Sequence, residues 1–598
     1  MALTTTVSHN NFRICTIVFW IVAVALVVVR LLLSLGNPVW LDPYALADDI
    51  LMFNYADVFK HFAEWNPLSM AKTMSYPAFL GFVYVSGVPY TLAVGLLWVV
   101  AALVSLWFFA HFVKNMYGRL AIFAFFLFCP VAFDIWTGLR IYRQAIIAPS
   151  ALIAIMLMFL LVVKLYLYCM ESRTEPNDGT VTNKFAIRKI VVVGVLAGLS
   201  FFFFYYIKED GAWLMPLVGI AAAAGVYIAI RAAMPAALRA KLAVFALIPI
   251  IVFVAGTNVY KAVNHHYFGV FEITTRTGGE FGKFSGKLID IADENKSLEV
   301  WVPYSALEKA WAASETLAGA PELLESMRWQ EVYADGDMVA NPIPGDLVFW
   351  ALKASLEDVG LYGSEAQAEA FFRDAGRELD AAFKDGRLEK AGGISISANL
   401  PSRTPQEIAG LWPLVEEMFL YQAAWLWSSA KVDFRPHERL ATVEEVLHVD
   451  IPTKWGDLSY ANSLALQASD DIVGVYRGTA PVVLGLAVAG FVCWVIDMVR
   501  RRHNLHNLIE GIHRLTPVFA VATALSCLIL FAGVAWFSEW LYIGYRSEGL
   551  PYVASTILNY YSCGVAPLIM ILEVIGISYL LRGITASVKG IRQTLAKG

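Results

Sequence analysis

The chain has 598 residues, is 58% hydrophobic with a mean hydropathy of +0.59, carries charge on 16% of its positions and has a net charge of −5. Hydropathy of that size excludes an ordinary soluble domain, and the mildly acidic balance, with no Lys/Arg block beside an aromatic cluster, excludes nucleic acid as a partner. The six cysteines lie in or beside apolar stretches and form no CxxC pair, which argues against a disulfide-stapled domain and against a zinc centre.

In chain order, the first apolar stretch, Ile14 to Leu35, is long enough to cross hydrocarbon, with Arg13 and Arg30 as its only charges. It is too long for a signal-peptide core and lacks a small-x-small cleavage site, so it reads as a retained anchor. The loop after it carries Asp48-Asp49 at the start of an expected helix, Ala45 to Phe62, and Tyr76 to Val88 reads as an interfacial helix. Further crossings are expected near 88–113, 119–133, 145–168, 190–207, 212–230, 242–260, 479–499, 516–537 and 563–581, which makes about ten, the 119–133 stretch being short. An even number puts both termini on one side.

Between the seventh and eighth crossings lies a polar insert, 263–478, that reads as mainly helical. Thr404-Pro405-Gln406-Glu407 and Ser364-Glu365-Ala366-Gln367 both carry the capping-box pattern. The aromatic stretch after Thr404, interrupted by Glu416-Glu417, reads as domain core or an interfacial helix rather than a crossing. The expected class is therefore an all-α integral membrane protein in three parts: an N-terminal transmembrane module (1–262), a helical extracytoplasmic domain (263–478), and C-terminal transmembrane helices with a tail (479–598).

Lys and Arg settle the expected orientation, because short cytoplasmic loops hold their excess. One set of alternate loops carries Lys114, Arg119, Arg188, Lys189, Arg231, Arg239 and the run Arg500-Arg501-Arg502. That places both termini in the cytoplasm, and the Asp48 loop, the hairpin from Asp134 to Arg143, Lys208-Glu209-Asp210, the insert and the 538–560 segment outside. Acidic residues in the insert outnumber basic ones roughly two to one, which a long translocated segment tolerates.

Chemistry is expected where charge sits at the membrane edge, since ionisable groups there are costly. Successive helical residues point about 100° apart, so only one of Asp48 and Asp49 can face a given reacting atom. A general base with a helper and a pair of solvated acids at a helix N-terminus both fit. Leu139-Arg140-Ile141-Tyr142-Arg143 puts two guanidinium groups at the outer interface, suited to phosphate, to an ion pair with Asp134, or to lipid headgroups. Lys208 and Glu209 either cap a hairpin or face the same cavity. The aromatics of 538–560, with Tyr560 and Tyr561 beyond, read as an interfacial belt or as stacking faces for sugar rings. His265-His266 has no third ligand at metal spacing.

The acidic pair in the first outer loop, then Tyr76-Pro77-Ala78-Phe79-Leu80-Gly81-Phe82 entering the next crossing, then basic outer hairpins, resembles the GT-C superfamily of integral-membrane glycosyltransferases over residues 10–260. The resemblance implies that Asp48 or Asp49 is the catalytic base and that the donor is a polyprenyl-phosphate-linked sugar, with a lipid, glycan or protein acceptor. The pair is Asp-Asp where the protein mannosyltransferases commonly have Asp-Glu, and the soluble part precedes the last three crossings instead of following them all.

The expected reaction is an inverting hexosyl or pentosyl transfer with Arg140, Tyr142, Arg143, Lys208 and Glu209 as the substrate-binding set, in a multi-pass protein of a bacterial plasma membrane. No cofactor is required, and the sequence leaves open whether a divalent ion joins Asp48. Three alternatives remain: a polysaccharide polymerase or ligase using the same donors; a transporter or flippase, against which the lack of an internal repeat speaks; and a non-catalytic receptor or assembly scaffold built around the outer domain, which would leave the charged short loops without a purpose.

Overall fold

The computed structural model describes residues 3–42, 51–53, 55, 66–174, 181–333, 336–428, 434–436, 439–500 and 511–595. Most of the expected 45–62 helix, and both Asp48 and Asp49, lie outside the described residues. The chain is an all-α integral membrane protein: among the described residues ten helical segments are long and apolar enough to cross a bilayer, and no strand is present. They are Thr16–Gly36, Tyr90–Phe109, Met116–Phe133, Gln144–Glu171, Phe185–Tyr205, Gly211–Arg231, Ala236–Phe268, Tyr460–Val499, Gly511–Ser547 and Cys563–Thr585.

Their arrangement follows from how apolar each helix is around its circumference. Gln144–Glu171 has no polar stripe, and its most apolar window is wholly buried, as a helix must be when every face needs a neighbour. It packs against the spans at 90–109, 185–205 and 211–231. Small residues set the closest approach, between the eighth and tenth spans. A Cβ added to Gly490 would sit 1.9 Å from the Gly576 carbonyl oxygen, so the two backbones touch there. Arg30, buried inside the first span, lies 4.6 Å from the Phe133 ring centroid and donates to Ser34 Oγ at 3.1 Å.

Several spans outrun their apolar windows. The seventh ends at Phe268, the eighth begins at Tyr460, and the ninth continues to Ser547. Positions 262 and 478 therefore fall inside continuous helices, and the insert is joined to the bundle through helix at both ends. Its first half packs the helices Gly279–Asp290, Tyr304–Ala313, Pro321–Arg328, Leu347–Asp358 and Glu365–Lys384 around a core that includes Phe281, Phe284, Trp301 and Phe372. Trp540, from the ninth span's extension, completes that core, and Gly345 at φ 55° lies under its indole, where a Cβ would come within 2.2 Å of ring carbon.

The insert's second half returns to the bundle. Thr404 opens Pro405–Gly410 with both halves of the capping box in place. Ser364 makes the forward half, accepting the Gln367 N–H at 3.2 Å. Trp412–Ala423, too short to cross, packs on the ninth span and on Pro551–Tyr561, and Leu414, Met418, Trp425 and Trp427 join the bundle's own apolar cluster.

Candidate functional site

The hairpin that follows the third span is built around Asp134. Its carboxylate accepts the backbone N–H groups of Trp136 and Thr137, each at 3.0 Å, the Thr137 hydroxyl at 3.0 Å, and the Ser428 N–H at 3.1 Å from the insert. Burial pushes this carboxyl up to about 6, and those donors act against the rise. Gly138 is required, since a Cβ would lie 2.3 Å from the Ala132 carbonyl oxygen. Asp134 therefore shapes the loop and is not the partner of either arginine. Among the described residues its donors belong to Trp136, Thr137 and Ser428.

The turn presents a short edge on which the first loop docks. Trp40 N–H donates to the Leu139 carbonyl at 3.2 Å, Ile141 N–H to the Trp40 carbonyl at 2.9 Å, and the Trp40 indole N–H to the Ile135 carbonyl at 2.5 Å. This pairing sets Asp42 against Arg140, Oδ2 to Nη1 at 3.2 Å. The Arg140 guanidinium carbon also lies 5.0 Å from the Tyr142 ring centroid and 5.3 Å from that of Tyr560, two rings stacked 7° from parallel.

Three residues on, Arg143 donates to Glu209 at 2.8 Å and to the Tyr142 hydroxyl at 2.7 Å. Both arginines are buried, 6% and 3% exposed, so neither reaches out to lipid headgroups. Glu209 also accepts the Thr73 N–H at 3.3 Å. Burial alone would raise its carboxyl, but Arg143, then Lys72 and Arg276, outweigh it and hold Glu209 at about 2. Lys208 pairs with Asp210 at 2.8 Å and sits 4.2 Å from the centroid of Tyr561, whose ring meets Tyr560.

Arg140, Tyr142 and Arg143, all buried, thus form one cluster with the partly buried Glu209, and Lys208 is joined to it through the Tyr560-Tyr561 pair. Asp48 and Asp49 lie outside the described residues. The structure adds residues that local sequence did not mark. Asp42 enters through the Trp40 pairing. Lys72 lies in the 66–75 segment, tied to the bundle by Ser75 N–H to the Tyr206 carbonyl at 3.0 Å and to the insert by Thr275 N–H to the Met70 carbonyl at 2.9 Å. That second tie brings in Arg276, paired with Asp346 at 2.8 Å. Lys72 Nζ and the Arg276 guanidinium carbon each lie 4.4 Å from the Trp350 ring centroid.

Chemically, the cluster offers cations oriented by aromatic faces and by carboxylates, of which Glu209 is held ionised by its cations. A carboxyl held near 2 is a weak base at neutral pH, so Glu209 orients Arg143 and does not accept a proton. Among the described residues no group of three or more His, Cys, Asp or Glu side chains could hold a metal ion. No protein-family model, no curated protein and no solved structure matches the chain.

Proposed function

We propose that the chain is a membrane glycosyltransferase of GT-C type, moving a sugar from a polyprenyl-phosphate donor to an acceptor hydroxyl on the extracytoplasmic face of a bacterial plasma membrane. The observation that supports it is the cluster of Arg140, Tyr142, Arg143 and Glu209 at the end of the bundle that the insert covers. Arginine oriented by carboxylates at a membrane edge is suited to a phosphate leaving group.

In this reading Asp48 or Asp49 takes the acceptor proton as the acceptor oxygen bonds to the anomeric carbon. The bond from that carbon to the lipid phosphate oxygen breaks, and the electron pair leaves with the phosphate. Arg140, Arg143 and Lys208 stabilise the charge that develops there, and losing one such donor commonly costs on the order of 100-fold in rate. Glu209 keeps the Arg143 guanidinium oriented.

The test measures release of free polyprenyl phosphate from a panel of polyprenyl-phosphate hexoses and pentoses, in membranes supplied with cell-envelope acceptors. Asp48→Asn and Asp49→Asn variants are checked first for normal insertion. At least one is expected to lose transfer by two orders of magnitude or more. Full activity in both overturns the proposal.

A further inference from the structure

Where the insert meets the bundle, Glu209 is approached by cations from three separate parts of the chain: Arg143 from the first hairpin, Lys72 from the 66–75 segment, and Arg276 from the insert. Among the described residues, two donors in this junction have no acceptor. The Thr73 hydroxyl is buried, the residue being 3% exposed, and makes no hydrogen bond, although its own N–H is committed to Glu209. Arg276 Nε is likewise buried without a partner among the described residues, while its Nη1 is held by Asp346 and its guanidinium carbon lies 4.4 Å from the Trp350 ring centroid. Buried donors are nearly always satisfied, and an orphan pair in one charged junction calls for a missing acceptor.

The surroundings restrict what that acceptor is. The two donors arise from different segments, and a group that carries several oxygens can meet both. The neighbouring cations favour a negative charge on it, and a guanidinium suits the several oxygens of a tetrahedral oxyanion. We propose that the junction is a phosphate-binding site in which the insert, through Arg276, completes a pocket begun by Lys72 and Thr73 of the membrane module. This rests on the preceding reading for the lipid that carries the phosphate, but not for phosphate itself. The insert is then part of the donor site and not only a cover over it.

The experiment uses the full-length chain in phosphatidylcholine nanodiscs, titrated separately with a polyprenyl phosphate bearing no sugar and with inorganic phosphate. Binding is followed by thermal shift and calorimetry. The wild-type protein is expected to bind the lipid, and Thr73→Val and Arg276→Gln are each expected to weaken binding about tenfold or more, the usual effect of losing a hydrogen bond to a charged group. Arg276→Lys keeps the charge without the Nε donor and is expected to fall between.

Thr73→Val is nearly isosteric and removes an unpaired hydroxyl, so the unliganded melting temperature is expected to stay level or rise. That separates a binding role from a structural one. Protection by inorganic phosphate as well as by lipid identifies the phosphate as sufficient, and protection by lipid alone adds the chain as a requirement; either supports the site. Wild-type affinity in both variants, no binding by the wild type, or a fall in Thr73→Val stability that accounts for its weaker binding overturns it. Wild-type phosphate affinity in Thr73→Val, with transfer lost in the Asp48 or Asp49 variants, sinks this inference alone. Weakened binding with transfer intact in both aspartate variants sinks the glycosyltransferase reading alone.

Discussion

Glu209 at the junction is partly buried and Glu369 inside the insert is buried, and the two carboxyls are driven in opposite directions. Glu209 is held at about 2 and Glu369 is pushed up to about 7. Burial acts upward on both. The difference lies in the partners. Glu209 has Arg143 at 2.8 Å with Lys72 and Arg276 close by. Glu369 has the backbone N–H groups of Glu280 and Phe281, at 2.5 and 3.2 Å, at the start of the helix Gly279–Asp290. The nearest lysine, Lys353, is committed to Glu365 at 3.2 Å, and Glu365 adds a repelling charge. A helix N-terminus alone does not offset burial here, whereas three cations do.

The largest test of that contrast is Arg143→Ala. It leaves the partly buried Glu209 without its closest cation, so a loss of about 3–5 kcal/mol is expected in unfolding measured in detergent. Adding Glu209→Gln should restore much of it. A cost below about 1 kcal/mol for Arg143→Ala would mean that the pair is effectively solvated and the comparison fails.

Next in size is the pH dependence. Glu369 has a folded value near 7 against an ordinary 4.5, so the folded state holds the extra proton between them. Its contribution is fully present below 4.5 and is lost as pH rises to about 7, up to about 3 kcal/mol, with no further change above. Glu369→Gln should remove that slope. Glu209 has the reverse sign: its contribution is present above 4.5 and is lost as pH falls toward 2. Unfolding free energy measured across pH 3–8 in the two Gln variants separates these windows, and a common slope in both would refute the assignment.

The smallest effect comes from Thr404→Ala, which breaks a capping box that holds no buried charge. A loss of about 1 kcal/mol is expected in the same unfolding assay. It calibrates what an exposed hydrogen-bonded cap contributes in this insert. A loss matching that of Arg143→Ala would erase the distinction between a buried charged partner and an exposed cap.

The ten spans were legible in the sequence because a window of some twenty apolar residues has few other fates. Their ends were not. The eighth helix begins at Tyr460, well before its apolar window near 479, because helix propagation needs only backbone bonds and a face to pack on, and hydropathy reports neither. In the site, Arg140, Arg143, Lys208 and Glu209 stood out as charge at a membrane edge. Their pairings did not, because Arg143 and Glu209 are 66 positions apart and nothing local encodes the match. Nearness in sequence suggested Asp134 as a partner for arginine, but its own turn supplies donors to it. Lys72 and Arg276 come together only because Met70 and Thr275 bond across the junction.

The ninth span does not stop at the membrane edge. At 32 residues and about 1.5 Å per residue it is a continuous rod of roughly 48 Å, and its far end delivers Trp540 into the insert's interior and Glu539 to Arg403. A fragment excised at residues 263 and 478 would therefore lack a wall of its own hydrophobic centre and leave Arg403 stranded. Workers who want this region in soluble form would do better to graft the 536–547 segment onto it than to trim it at the hydropathy minimum.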